Sequence, residues 1–309
     1  MSRVTVLGLF CADLITRTTR LPAWGESLSG EGFRLMAGGK GSNQAVAAAQ
    51  QGATVTFISR LGEDAFAPIA RTLYERVGID TRHVSTDERL NTGTATILVD
   101  DARGDNAIVI EAGAGARLSE DAVSAAESAI AASAVFVCQL ELPLAINEHG
   151  IRLAQRHGVP VILNPAPAGA LPAAIDAPID YLTPNESEAA ELVGHAVETD
   201  TEVARAAATL RQRGVRNVLI TLGERGVYID SAGFQGMIPA LDAGPVVDTI
   251  GAGDAFNGAL AAALAQGDDL PAAARRACAT AGLSVTRAGA ADALPDRAGV
   301  DAALAGHRR

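Results

Sequence analysis

Short apolar runs recur along the chain at Val4 to Leu9, Thr54 to Ser59, Ala134 to Gln139, Pro160 to Leu163, Asp180 to Thr183 and Asn217 to Thr221. Each is bounded by turn chemistry, and most are followed by a stretch of helical periodicity. Runs this short that stay apolar instead of alternating have both faces buried. Their order therefore predicts an α/β fold, a central mostly parallel sheet with helices on both faces. Two segments break the rhythm, Ile15 to Met36 and Gly93 to Ala112. In the second, Ala95 to Val99 and Ala107 to Ile110 flank the polar turn Asp101 to Asn106, which predicts a hairpin. The Ala-rich run Ala122 to Ala132 predicts a surface-packed helix, and Pro165 to Ala168 and Pro172 to Pro178 read as loops. With no linker, repeat or low-complexity tract, residues 1–309 are expected to form a single domain.

Composition narrows the function classes. A chain of 309 residues has ample core to be stable without staples. A net charge of -11 would repel nucleic acid and an anionic membrane surface. No apolar run reaches the ~18 residues of a membrane helix. The chain opens on a strand pattern with no signal peptide, so a cytoplasmic location is expected. Cys11, Cys138 and Cys278 lie scattered in apolar surroundings without a C-x-x-C pair, and are expected to be reduced core thiols.

The chemistry concentrates in Asp248-Thr249-Ile250-Gly251-Ala252-Gly253-Asp254-Ala255-Phe256. Gly251, Ala252 and Gly253 let the main chain approach a ligand, and the apolar run Ala255 to Leu264, closed by Gly267, predicts a helix. Its first N–H groups have no internal partner and suit a phosphate. Asp254 at that terminus sits in a field favouring its ionised form, ready to take a proton from an attacking alcohol. The same residues also fit a plain strand-to-helix turn with an N-terminal Asp. The spacing is not G-x-G-x-x-G, which argues against a dinucleotide oxidoreductase. Gly38-Gly39-Lys40-Gly41-Ser42 lacks the leading glycine of a P-loop. It offers a glycine turn and one cation, with Ser42 as expected N-cap of a helix from Asn43 to Gln51 and Gly52 just past its end. Lys40 and Asn43 would then face one spot at the helix mouth, unless Lys40 is a solvated lysine beside a glycine turn.

Together these segments resemble the ribokinase-like carbohydrate kinases, the PfkB family. The resemblance rests on Gly38 to Gln44, on Thr183-Pro184-Asn185-Glu186-Ser187-Glu188 with the family's N-x-x-E element, and on Asp248 to Phe256. Leu61 to Phe66 and Ile220 to Gly226 are further landmarks, and the likeness spans essentially the whole chain. It implies an ATP-dependent kinase acting on the primary hydroxyl of a pentose such as ribose, with a small β-sheet lid formed by about 15–36 and 93–112 that is often used for homodimerisation. Asp254 would be the base, and the amides of Gly251, Ala252 and Gly253 the anion hole. Cys11, Asp13, Gly38, Gly39, Lys40, Asn43 and Glu141 match sugar-binding positions. Asn185 and Glu188 would organise Mg²⁺ through water. Thr221, Gly223, Gly226, Thr249, Gly253, Asn185 and Cys278 would line ATP. Asp248 and the carbonyls of Ile250, Ser284, Arg287 and Gly289 would surround K⁺, although Ala293 stands where a hydroxyl-bearing residue often completes that shell.

Two further departures concern specificity. Cys11 stands where ribokinase-type members carry Asn, and a thiol cannot supply an amide's donor and acceptor pair. Cys278 likewise replaces an Asn near the adenine. A deoxysugar or ketohexose is therefore an alternative substrate, as is a nucleoside, although only Trp24 and Phe33 offer aromatic stacking in the lid segments. A non-catalytic sugar-binding module would be expected to lose Asp254 or the anion hole, and both are intact.

Overall fold

The computed structural model describes residues 2–100, 106–169 and 179–307. Its strands are β1 (Arg3–Leu7), β2 (Cys11–Thr18), β3 (Gly32–Gly38), β4 (Thr54–Gly62), β5 (Asp80–Asp87), β6 (Gly93–Asp100), β7 (Asn106–Glu111), β8 (Val135–Gln139), β9 (Val161–Asn164), β10 (Tyr181–Leu182), β11 (Asn217–Thr221), β12 (Val227–Ser231) and β13 (Gln235–Ile238). The α-helices are α1 (Lys40–Gln50), α2 (Ala67–Val77), α3 (Glu120–Ser124), α4 (Glu127–Ala131), α5 (Leu144–Arg156), α6 (Glu186–Val193), α7 (Asp200–Gln212), α8 (Ala252–Ala265), α9 (Leu270–Ser284) and α10 (Arg297–Gly306). Of the turn predicted from Asp101 to Asn106, residues 101–105 lie outside the described residues, as does the loop Pro172 to Pro178.

Nine strands form the large sheet in the order β13-β12-β11-β10-β9-β8-β1-β4-β5. From β11 to β5 every pair is parallel, while β12 and β13 add an antiparallel edge. Successive side chains enter opposite cores. Val135 and Val137 join one apolar cluster with α1, α2, α8 and α9, whereas Phe136 and Cys138 join another with α3, α4, α5, α6 and α7. The expected mostly parallel α/β sheet is therefore present. Strands β5, β12 and β13 were not anticipated. β5 (DTRHVSTD) is an edge strand with mixed burial, so it carries no continuous apolar run.

A second sheet, ordered β3-β2-β6-β7, contains both irregular segments. The expected hairpin is there: β6 and β7 are antiparallel, pairing Thr94 with Glu111 and Val99 with Asn106. Phe33, Leu35, Ile108, Val109 and Ile110 are exposed on this sheet, and Trp24, between β2 and β3, is wholly exposed.

Helix starts differ from expectation in an informative way. α1 begins at Lys40, with Gly39 (φ 86°) as an N-cap that offers no side chain. Ser42 is not the cap; it is buried in the first turn, where its Oγ accepts the Tyr74 hydroxyl at 3.0 Å. The cap comes instead from a distant carboxylate, Glu141, whose Oε2 accepts the Lys40 N–H at 2.9 Å. α8 starts at Ala252, three residues before the predicted Ala255, with Gly251 (φ 77°) as N-cap. The stretch from Ala122 to Ala132 forms two short helices, α3 and α4, instead of one. The three cysteines are buried and unbridged, as expected. Among the described residues no helix is long and apolar enough to cross a membrane.

Candidate active site

Helices α1 and α8 cross almost at backbone contact. A Cβ at Gly258 would lie 2.5 Å from Ala47 Cβ and 2.8 Å from Ala48 N, so only glycine permits this approach. That crossing brings the mouths of both helices together above the carboxyl ends of β8, β9 and β10, where open α/β sheets bind ligands. Asp254, in the first turn of α8, is buried there. Its Oδ2 accepts Asn43 Nδ2 and its Oδ1 accepts Gln44 Nε2, each at 3.0 Å. Consecutive α1 residues thus hold both carboxylate oxygens.

The turn before Asp254 is shaped for a ligand. Gly251 takes a left-handed conformation, and a Cβ on it would meet Ala290 Cβ at 2.9 Å. The Ala252 N–H bonds Thr249 O at 3.2 Å. The N–H groups of Gly251 and Gly253 have no partner among the described residues. Gly253 is exposed, and a Cβ there would meet nothing within 4 Å, so the helix mouth is open.

Around Asp254 lies a cluster of charge. Burial raises the Asp254 pKa against the opposing effects of Lys40 and of the Gln44 and Asn43 hydrogen bonds. Asp13, on β2, is pushed up to about 7 by burial and by Asp254. Glu141 is pushed up to about 7 by burial, partly countered by Lys40. Burial would lower Lys40, but Asp254, Glu141 and Glu188 outweigh it and hold the ammonium above its ordinary value. Gly38 packs directly on the Asp13 carboxylate, where any Cβ would overlap it. Cys11 and Asp13 lie two apart on β2 and so share a face. The Cys11 thiol is raised by burial and by the charges of Glu141, Asp13 and Glu111. Cys11, Asp13, Gly38, Gly39, Lys40, Asn43, Glu141 and Asp254 thus lie in one neighbourhood.

A second group lies at the ends of β10 and β11. Thr221 N donates to Pro184 O at 2.9 Å and bridges to Asn185. Gly223 (φ 56°) and Gly226 (φ 100°) shape the turn that follows. Asn185 and Glu188 form a reciprocal capping box on α6: Asn185 Oδ1 accepts Glu188 N and Glu188 Oε2 accepts Asn185 N, each at 2.8 Å. Burial raises the Glu188 pKa, so a nearby cation suits it. Among the described residues no cluster of three or more His, Cys, Asp or Glu could hold a metal alone. Asn185 and Glu188 are oxygen donors, the kind that a largely hydrated Mg²⁺ accepts, with Asn185 Oδ1 and Glu188 Oε2 also engaged in the cap.

Asp248 ties two loops together. Its Oδ1 accepts Ile250 N at 3.0 Å and its Oδ2 accepts Gly289 N at 2.9 Å, while Val247 N donates to Val285 O at 2.8 Å. Ser284 O accepts the Arg287 N–H at 3.2 Å. Both Asp248 oxygens are thus engaged by main-chain N–H groups, one from each loop. Thr249 is exposed beside this latch. Cys278 is buried on α9, its thiol pushed up to about 12 by burial, packed with Ala274 and Ala277 in the apolar cluster. Ala293 is buried in a 3₁₀ turn and offers no hydroxyl.

Sequence reasoning assigned no role to Gln44, Gln139, Asn164, Thr183 or Asn257. Three of them share a signal: each is the first polar residue closing a wholly apolar strand run, VFVC-Gln139, VIL-Asn164 and YL-Thr183. A polar group there sits at the carboxyl edge of the sheet, where ligands bind.

The chain is 39% identical over 294 residues to a ribokinase of Haemophilus influenzae, covering 95% of both chains. It is 36% identical over 293 residues to a deoxyribokinase of Salmonella typhi, covering 94% of this chain and 95% of the relative. Its fold matches the structure of Arabidopsis thaliana ribokinase complexed with ribose and ATP, with a TM-score of 0.90, 32% identity, and coverage of 97% of this chain and 98% of that one. Residues 1–297 match the model of the pfkB family carbohydrate kinases, and the chain belongs to that family.

Proposed function

We propose that this kinase transfers the γ-phosphate of ATP to the primary hydroxyl of a pentose such as ribose. The observation that carries the reading is the buried Asp254 carboxylate, held by Asn43 and Gln44 beside the open Gly251 to Gly253 turn. Asp254 Oδ2 removes the hydroxyl proton as the oxygen attacks phosphorus. Burial raises its pKa, which makes it a stronger base than an exposed Asp, and the neighbouring Lys40 opposes that rise. The free N–H groups of Gly251 and Gly253 receive the charge that builds on the transferring oxygens. Asp13, Asn43, Glu141 and the Gly38-Gly39 backbone hold the other sugar hydroxyls, with Lys40 offsetting the carboxylates. Thr221, Gly223, Gly226, Thr249 and Cys278 line the nucleotide.

Asn185 and Glu188 would hold Mg²⁺ through water, and Asp248 with the carbonyls of Ile250, Ser284, Arg287 and Gly289 would hold K⁺. Such ions supply positive charge that neutralises the phosphates and strengthens the anion hole. The small sheet serves as a lid over the sugar. Its exposed Phe33, Leu35 and Val109 support a homodimer through that face.

Cys11 favours a second reading, 2-deoxyribose, because a buried thiol leaves no amide stranded when a hydroxyl is missing. The deciding experiment is sugar-dependent ADP release measured with ribose, 2-deoxyribose, ketohexoses and nucleosides. Turnover highest with ribose supports the first reading and turnover highest with deoxyribose the second. No ADP release above the sugar-free rate with any acceptor would overturn both.

A further inference from the structure

Behind Asp254 runs a continuous chain of buried side-chain hydrogen bonds. Gln139 Nε2 donates to Gln44 Oε1 at 2.7 Å. Gln44 Nε2 then donates to both Asp254 Oδ1 and Asn164 Oδ1, each at 3.0 Å. Asn164 Nδ2 donates to Thr183 O at 3.1 Å, and the Thr183 hydroxyl donates to Asn257 Oδ1 at 2.6 Å. Asn257 Nδ2 closes the path on Gly253 O at 2.9 Å, in the turn beside Asp254. Gln139, Gln44, Asn164, Thr183 and Asn257 are all buried.

The orientation of Gln44 is over-determined. Its two N–H bonds go to two acceptors and its oxygen receives one donor. A flipped amide would set its oxygen against the Asp254 carboxylate and Asn164 Oδ1 together, while its nitrogen faced the Gln139 donor. One rotamer is therefore enforced from two strand ends and helix α8. Asn43, by contrast, bonds only the carboxylate through its side chain, since its Oδ1 has no partner. Gln139 Oε1 also has none, so the lock on Gln44 rests on its two acceptors, Asp254 and Asn164, with Gln139 Nε2 filling its oxygen. Gln44 provides the anchored side of the clamp.

We propose that Gln44, locked by Gln139 and Asn164, is a positioning residue for phosphoryl transfer: it fixes the Asp254 carboxylate so that Oδ2 faces the substrate hydroxyl. The proposal rests on Asp254 being the base. It also predicts a pH signature. Asp254 is faced by Lys40 on α1, Asp13 on β2, Glu141 after β8 and Glu188 on α6, and these stay in place when Gln44 is changed. Losing the Gln44 donor removes a bond that favours the ionised form, so the acid limb of activity must move to higher pH.

The test compares Gln44→Met, Gln139→Met and the double variant in steady-state kinetics from pH 5 to 9. Gln44→Met is expected to lower kcat by about 10- to 100-fold with the KM for sugar and ATP within threefold, and to raise the acid limb of kcat by about one pH unit. Gln139→Met, which leaves the Gln44 bond to Asp254 in place, is expected to lower kcat by roughly three- to tenfold and move the same limb the same way. The double variant is expected to match Gln44→Met alone, because Gln139 acts only through Gln44. A kcat loss with an unmoved acid limb, or losses that multiply in the double variant, would overturn the proposal. Should Gln44→Met fail to fold, the limb measured on Gln139→Met decides by itself. A parent enzyme without sugar-dependent turnover would refute the kinase reading instead, which separates the two failures.

Discussion

The two glycine turns at the site use the same residue for opposite purposes. In the Gly38 to Gly41 turn the glycines make room for protein. A Cβ on Gly39 would lie 2.6 Å from Leu9 O, and one on Gly41 would lie 2.5 Å from Gly8 Cα. The helix mouth behind that turn is closed from within, by the Glu141 carboxylate. In the Gly251 to Gly253 turn, Gly251 is crowded but Gly253 has nothing within 4 Å of an added Cβ, and the N–H groups of both find no partner among the described residues. Two glycine-rich helix starts thus end up differently, one capped by a carboxylate and the other left open. What separates them is whether a carboxylate from elsewhere in the fold reaches the mouth first.

The largest effect that would sharpen this contrast belongs to Asp254→Asn. The amide oxygen keeps the Gln44 bond and its nitrogen can pair with a turned-over Asn43, whose Oδ1 has no other partner, but it takes no proton, so kcat should fall ~10²- to 10⁴-fold with substrate binding retained. Turnover within threefold of the parent would remove Asp254 from the chemistry. Next comes Gly41→Ala, whose methyl has only backbone to displace. A stability loss of about 3 kcal/mol is expected in urea denaturation, and an unchanged midpoint would show that the turn is not crowded.

Gly253→Ala tests the open turn directly. Its methyl meets no protein atom, so the melting temperature should hold or rise slightly, as alanine favours helix. Yet the methyl stands where the phosphoryl oxygens must approach, and kcat should fall about tenfold or more. Full activity would mean that the mouth does not receive the phosphate. The smallest effect concerns Cys11→Asn, which should shift kcat/KM toward ribose over 2-deoxyribose by about 1 kcal/mol, roughly fivefold. An unchanged ratio would place Cys11 away from the discriminating hydroxyl.

Much of this was legible in the chain. The fully buried strands announce themselves because both faces are apolar, as in VFVC before Gln139. The edge strand β5 does not, since its polar DTRHVSTD is half solvated. Lys40, Asn43 and Asp254 stand out because short motifs carry them, whereas Asp13 is isolated and only the family resemblance points to it. The Gln44 to Asn257 network is not, because its members are scattered from residue 44 to residue 257 and meet only when three strand ends line up. The Ser42 cap failed for the same reason: its replacement, Glu141, is 101 positions away.

Trp24, the chain's sole tryptophan, stands wholly in solvent on the segment joining β2 to β3. Intrinsic fluorescence of this enzyme therefore reports on the small sheet and is nearly silent about the buried core. Its emission should resemble that of the free amino acid in water and be freely quenched by acrylamide. A thermal melt followed at this wavelength would understate unfolding that circular dichroism records in full. Conversely, any blue shift on adding sugar or on raising protein concentration is a local signal that something has covered β2 and β3.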